Sequence, residues 1–187
     1  MTVQRTTIDG LLVVDSPLIE DARGFFRESY RCSELQDALG RSVDFRQANH
    51  SRSHAGVLRG FHAEPWDKLV YVPRGRAFYV VADVRPSSSN FGEVLGFELG
   101  DLAGGRRRLF IARGLANAFQ ALEETDYVND VSEEFTAVGR HGFAWDDPDL
   151  GVRWPLHPPV LSQTDAGQPT LRSVFPDHPR FVNHPAR

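Results

Sequence analysis

Short apolar runs broken by turn residues constrain this chain most. Stretches rich in Val, Phe, Tyr and Leu fall at 11–14, 24–30, 43–47, 57–61, 69–72, 77–84, 94–99, 108–111, 117–122 and 127–132. They are bounded by Gly, Pro, Asn, Asp or Ser. A spacing of roughly 8–15 residues predicts an antiparallel sandwich or barrel. The best helical signal is 33–39, with Ser33 as N-cap and Gly40 as the stop. Residues 175–187 carry Pro176, Pro179 and Pro185, which predicts an extended, poorly packed tail. With 187 residues and no repeat or linker, a single domain spanning 1–187 is expected.

Side-chain alternation assigns faces. In 77–84, Ala77, Tyr79, Val81 and Asp83 share one face, which would suit the polar lining of a barrel. Phe78, Val80, Ala82 and Val84 share the other, wholly apolar face, which should meet packed core or a subunit neighbour. In 57–62, strict alternation puts His62 with Leu58 and Gly60, and Arg59 opposite; a bulge at Gly60 would change this.

Composition narrows the class. A formal charge of −4 argues against a general nucleic-acid binder. No apolar run approaches the roughly 18 residues of a membrane span. Residues 1–5 show no signal-peptide pattern, and the single Cys32 cannot form an internal disulfide. A reducing cytoplasm is therefore the expected compartment. Lys and Arg total 21, yet Lys68 is the only lysine. A lysine is a compact point charge whose pKa can fall on burial; an arginine is a planar fork that stays charged. Lys68 is thus a candidate for a site where a guanidinium would not fit.

The densest constellation is Gly56-Val57-Leu58-Arg59-Gly60-Phe61-His62-Ala63-Glu64-Pro65-Trp66-Asp67-Lys68-Leu69-Val70. An imidazole can act as a general base near neutral pH. A guanidinium suits a diphosphate. An ammonium can stabilise an enolate oxygen. Each residue also has a plain reading: His62 as a hydrogen-bonded structural histidine, Arg59 as a surface strand residue, Glu64 as a solvated carboxylate. A metal centre is not expected, because His62 has no H-x-H partner and 111–117 offers Asn117 and no histidine. No G-x-S-x-G, P-loop or dinucleotide fingerprint occurs.

Several segments together resemble the dTDP-4-dehydrorhamnose 3,5-epimerases. They are Asp21-Ala22-Arg23-Gly24-Phe25-Phe26-Arg27-Glu28, Phe45-Arg46-Gln47-Ala48-Asn49-His50-Ser51, Leu58-Arg59-Gly60-Phe61-His62, Lys68-Leu69-Val70, Ala82-Asp83-Val84-Arg85 and Leu161-Ser162-Gln163-Thr164-Asp165. The resemblance implies an all-β cupin double-stranded β-helix (jelly roll). It implies a homodimer that uses neither metal nor nicotinamide and takes a nucleotide-linked, most simply dTDP-linked, 4-keto-6-deoxyhexose. Inversion at C3, C5 or both would proceed through an enolate. By position, His62 falls on the base, Asp165 on its carboxylate partner, Lys68 on the family's lysine and Tyr127 on the acid. Arg23, Glu28, Gln47, Asn49, Arg59, Asp83 and Asn117 fall on nucleotide- and sugar-binding positions.

The sequence also departs from the family. Asn117 replaces a pocket histidine, the loop between His62 and Lys68 is short, and Thr164 replaces a lysine. The aromatic pair expected soon after Tyr127 is replaced near Val131-Ser132-Glu133. Two other readings stay open: a non-catalytic sugar-nucleotide-binding cupin or keto-sugar isomerase, and a metal-dependent cupin.

Overall fold

The alternating apolar runs become strands because pairing satisfies their backbone groups while one face of each is buried. A computed structural model describes residues 1–102 and 104–182. Its strands are β1 (Thr2–Arg5), β2 (Leu11–Asp15), β3 (Ile19–Asp21), β4 (Gly24–Phe26), β5 (Gln47–Ser53), β6 (Leu58–Ala63) and β7 (Lys68–Arg74). They continue with β8 (Arg76–Asp83), β9 (Val94–Gly100), β10 (Arg108–Ile111), β11 (Leu115–Ala121), β12 (Thr125–Val131) and β13 (His141–Gly142). The helices are short: α1 (Cys32–Leu39), α2 (Gln163–Ala166), α3 (Leu171–Val174) and α4 (Pro179–Val182).

A six-stranded sheet in the order β1-β2-β10-β7-β12-β5 faces a five-stranded sheet in the order β13-β6-β11-β8-β9. This is the expected jelly roll. Between the sheets lie Leu11, Val13, Val70, Leu109 and Ile111 from one side and Tyr79, Val81, Leu99 and Phe119 from the other. The alternation read for 77–84 holds here. Ala77, Tyr79 and Val81 point into this interior, while Val80, Ala82 and Val84 pack beneath Phe143, Trp154 and Leu171 on the outer face. On the outer face of the six-stranded sheet, Leu35 of α1 covers Leu12, Val14, Leu69 and Phe110.

Three expectations are corrected. First, the N-cap of α1 lies two residues earlier than the sequence suggests: Arg31 occupies that position, so Ser33 lies inside the first turn. Gly40 does end the helix, at φ +67°. Second, residues 43–46 are not a strand; Val43 packs against α1's cluster, and the chain enters β5 only at Gln47. The polar run Gln47–Ser53 shows no apolar alternation, and its pairing with β12 defines it. Third, the tail is not loose over the described residues. Phe181 is 4% exposed, and His178 stacks on Phe91 at 3.7 Å. Phe175 meets the same Phe91 edge-on. The aromatic residues between the prolines therefore dock the tail on the five-stranded sheet; residues 183–187 lie outside the described ones.

The feature that places the site is in β6. Against β11, Arg59 pairs with Phe119 and His62 with Asn117, so β6 advances by one more residue than its partner. That extra residue is a β-bulge, and it reverses the alternation beyond Gly60. Leu58 and Phe61 consequently share the outer apolar cluster, while Arg59 and His62 both face the interior cavity. Gly60 sits at φ +114°, and a Cβ there would fall 2.6 Å from the Asn117 carbonyl oxygen and 2.7 Å from Ala118.

Two measurements check this account. Phe181→Ala should lower the unfolding free energy in urea by about 3–5 kcal/mol; a change near zero would restore the loose tail. Gly60→Ala should destabilise the fold in the same urea measurement, by more than the roughly 0.4–1 kcal/mol by which an unstrained Gly→Ala change stabilises, because the strand must shift to admit the methyl at a positive φ.

Candidate active site

The reversed alternation brings residues from both sheets around one cavity of about 90 Å³. From the five-stranded sheet come Arg59 and His62 on β6 and Asn117 and Phe119 on β11. From the six-stranded sheet come Lys68 on β7, Tyr127 and Asn129 on β12 and Ser51 on β5. Glu64, just past β6, completes the lining. Larger hollows of about 600 Å³ beside Arg5 and Arg41, and of about 610 Å³ beside Phe143 and Phe175, lack a hydrogen-bonded His–carboxylate pair facing a tyrosine.

His62 Nε2 lies 2.8 Å from Asp165 Oδ1. With the proton of Nε2 on that bond, the lone pair resides on Nδ1. Asp165 is held in turn. It sits in the short α2, whose N-cap Ser162 accepts the Asp165 backbone N–H at 3.0 Å and donates its hydroxyl to Asp165 Oδ2 at 2.8 Å. Each carboxylate oxygen therefore has its own donor, and the imidazole is fixed in tautomer and direction.

Tyr127 stands on the opposite sheet. Its ring stacks on Phe119 at 4.7 Å, and its hydroxyl lies 3.2 Å from that of Tyr79. Burial pushes the Tyr127 phenol far above the ordinary tyrosine value, outweighing the lowering effect of its hydrogen bonds to Tyr79 and Asn129. It is thus a neutral donor across the working pH range.

Lys68 is 3% exposed. It contacts Glu64 Oε2 and donates to Asn117 Oδ1. Burial pulls the ammonium's pKa below its usual value, and the Glu64 charge opposes that fall. Burial pushes the Glu64 carboxyl upward, but the charge and hydrogen bond of Lys68, with Arg140, outweigh it and leave the net shift downward. Among the described residues, no three His, Cys, Asp or Glu side chains converge to hold an ion.

The sequence model of the dTDP-4-dehydrorhamnose 3,5-epimerases matches residues 5–173. The chain belongs to this family. It is 37% identical over 170 residues to the dTDP-4-dehydrorhamnose 3,5-epimerase of Shigella flexneri, covering 88% of this chain and 93% of that one. A 4-keto-6-deoxy sugar epimerase from the novobiocin gene cluster of Streptomyces spheroides superposes with a TM-score of 0.89. It is 30% identical and covers 93% of this chain and 89% of its own. A 3'-monoepimerase from Streptomyces bikiniensis, solved with dTDP-quinovose, superposes at 0.86 with 29% identity, covering 91% and 88%.

Within this epimerase-family chain, the structure gathers His62, Asp165, Lys68, Tyr127, Arg59 and Asn117. Arg59, an exposed residue overall, donates from Nε to Ser53 Oγ at 3.0 Å and from Nη2 to the Arg52 carbonyl at 3.3 Å. Gln47 and Asn49 lie on β5, where Gln47 Nε2 donates to Asn49 Oδ1 at 2.6 Å; they do not line the cavity, to which β5 contributes Ser51. Arg23 and Glu28 do not reach this chain's own cavity. Arg23 pairs with Asp21 on the β3–β4 hairpin, and Glu28 pairs with Arg31. The structure corrects the placement of Asp83. Its fully buried carboxylate is taken up by Arg85 and Ser88 in the turn after β8, and it does not line the cavity. Glu64 is also corrected, from a solvated carboxylate to a largely covered cavity wall with its side chain 12% exposed. Only its spacing of four residues from the lone lysine signalled this in the sequence. Tyr79, on the face expected to supply polar lining, is likewise corrected: it is fully buried in the apolar core, does not line the cavity, and meets it only through its hydroxyl beside that of Tyr127. Ser162 gave no separate signal, since its role depends on the turn that places its hydroxyl on Asp165.

The raised Tyr127 value has a direct optical consequence. Of the four tyrosines, Tyr127 should contribute no tyrosinate absorbance up to about pH 11. A Tyr127→Phe variant should therefore trace the same alkaline absorbance curve as the parent to that pH; a smaller rise would mean that the phenol ionises earlier.

Proposed function

We propose that the protein is a cofactor-independent epimerase of a dTDP-linked 4-keto-6-deoxyhexose, acting in deoxysugar biosynthesis. One observation carries the reading: a carboxylate-anchored imidazole on one sheet and a neutral tyrosine on the other line the same cavity, beside a buried ammonium. A 4-keto group acidifies the C–H bonds at C3 and C5, because either carbanion is an enolate. His62 takes the proton, and the electron pair moves onto the ketone oxygen. Lys68 offsets the charge that develops there, where a water-poor site makes such a donor most effective. Tyr127 donates a proton to the same carbon from the opposite face, which inverts it. His62 then releases its proton, and Tyr127 regains one, by exchange with solvent.

Asp165 supports the imidazolium formed in the first step. Arg59, in the cavity lining, and Gln47 and Asn49, on β5, would meet the diphosphate and nucleoside. The dTDP-quinovose bound to the Streptomyces bikiniensis relative supports that choice of nucleotide. We take inversion at both C3 and C5 as the reading, since base, acid and lysine positions are all filled. A homodimer in the cytoplasm is part of the proposal. Ile19, Phe25 and Phe26 on the β3–β4 hairpin are more than half exposed, and a second subunit would cover them. Arg23 and Glu28 would then serve the neighbouring subunit's site.

Turnover in heavy water tests the mechanism. Deuterium should enter at both C3 and C5 of the keto sugar. His62→Asn should reduce exchange by about 100- to 10,000-fold while the protein stays folded. Tyr127→Phe should keep exchange but lose inversion, because the enolate is reprotonated from the face it left. Deuterium at one carbon alone would make the protein a mono-epimerase. Binding without exchange would make it a sugar-nucleotide-binding module.

A further inference from the structure

Glu64 has no role in the proton transfers described above, yet its largely covered carboxylate is in direct contact with the lysine they use. Its oxygens are divided. Oε2 contacts Lys68 Nζ, while Oε1 takes Arg140 at 3.2 Å. An ammonium has three N–H donors. In Lys68 one is directed at Glu64 and one at Asn117, which leaves one for a ligand in the cavity that all three residues line.

The turn that sets this geometry is fixed at every step. The Glu64 carbonyl accepts the Gly114 N–H at 2.9 Å. Trp66 is buried. The Asp67 carboxylate is held by two bonds from Arg41, at 2.7 and 2.9 Å, and accepts the Arg113 N–H at 3.0 Å. Burying an ion pair stabilises a fold no better than apolar packing of the same volume. The pair is therefore better explained by what it does to the cavity than by fold stability.

We propose that Glu64 is a positioning residue that keeps Lys68 an ammonium and aims its remaining N–H into the cavity, a role that rests on the proposed function of Lys68. The charged and titratable groups around Lys68 are Arg59 and His62 on β6, with Asp165 behind His62, Arg140 before β13, Tyr79 on β8 and Tyr127 on β12. The arginines disfavour a second cation, and the buried phenols stay neutral. Glu64 is the only carboxylate in ion-pair contact with Lys68 among the described residues. Without it, burial would strip the ammonium of its proton at lower pH.

The lone lysine makes the test direct. Protein labelled with carbon-13 at the lysine ε position gives one side-chain resonance, and its titration reports Lys68 without any turnover. Glu64→Gln should lower that midpoint by about 1–3 pH units, as expected for removal of an adjacent opposite charge. The alkaline limb of kcat should move down with it while KM changes little, and Glu64→Asp should restore part of both. Arg140→Gln, which removes a cation, should move the midpoint up; it serves as the second probe if Glu64→Gln does not fold. A midpoint unmoved in folded Glu64→Gln, or lowered in Arg140→Gln, would overturn the proposal. If the parent exchanges no deuterium while the resonance still shifts as expected, the catalytic role of Lys68 fails and the electrostatic pairing stands.

Discussion

The bulge at Gly60 is the constraint on which the site depends. A β-strand alternates its side chains strictly, so Arg59 and His62 would face opposite sides of a regular β6. One additional residue opposite β11 puts them on the same side, and it keeps Leu58 and Phe61 together in the outer apolar cluster. Only a residue without Cβ can occupy φ +114° with the Asn117 carbonyl 2.6 Å from where that atom would sit. The geometry of the cavity is therefore built into backbone pairing, and core packing and cavity lining are satisfied by the same irregularity.

Around that strand, the jelly roll divides the chemistry between its two sheets. His62, the proposed base, and its neighbour Asn117 stand on the five-stranded sheet; the Lys68 ammonium and the Tyr127 phenol stand on the six-stranded one. A planar sugar enolate between them would meet a base on one face and an acid on the other, which is what inversion requires. The same arrangement tunes the groups. Burial between the sheets makes the charged form of Tyr127 costly, so it remains a donor. Lys68 in the same interior needs Glu64 and Asn117 beside it. His62, closer to the mouth, takes its direction from Asp165 in a helix of the segment that covers the sheet's outer face.

Much of the fold was legible. Strands such as Arg108–Ile111 follow from apolar runs bounded by turn residues, and the two faces of 77–84 follow from alternation alone. Gln47–Ser53 was not legible, because a polar strand carries no periodic signal and is specified by its partner β12. The docked tail was misread for a related reason. Its prolines are visible locally, whereas the surface at Phe91 that receives Phe175, His178 and Phe181 lies far away in sequence.

For the site, the sequence by itself determined the cast: one lysine, the His62 motif, Asp165 and Tyr127, at an order and spacing that mark the family. Residue type and chain order are local properties, and a motif records them. Only the tertiary structure decided which of these groups meet. It placed Asp165 against His62 across 103 positions of chain. It turned Asp83 away into a bond with Arg85 and drew Glu64 out of solvent onto Lys68. Burial and electrostatic pairing are properties of distance in space, and the packing of the two sheets, not the linear sequence, sets those distances.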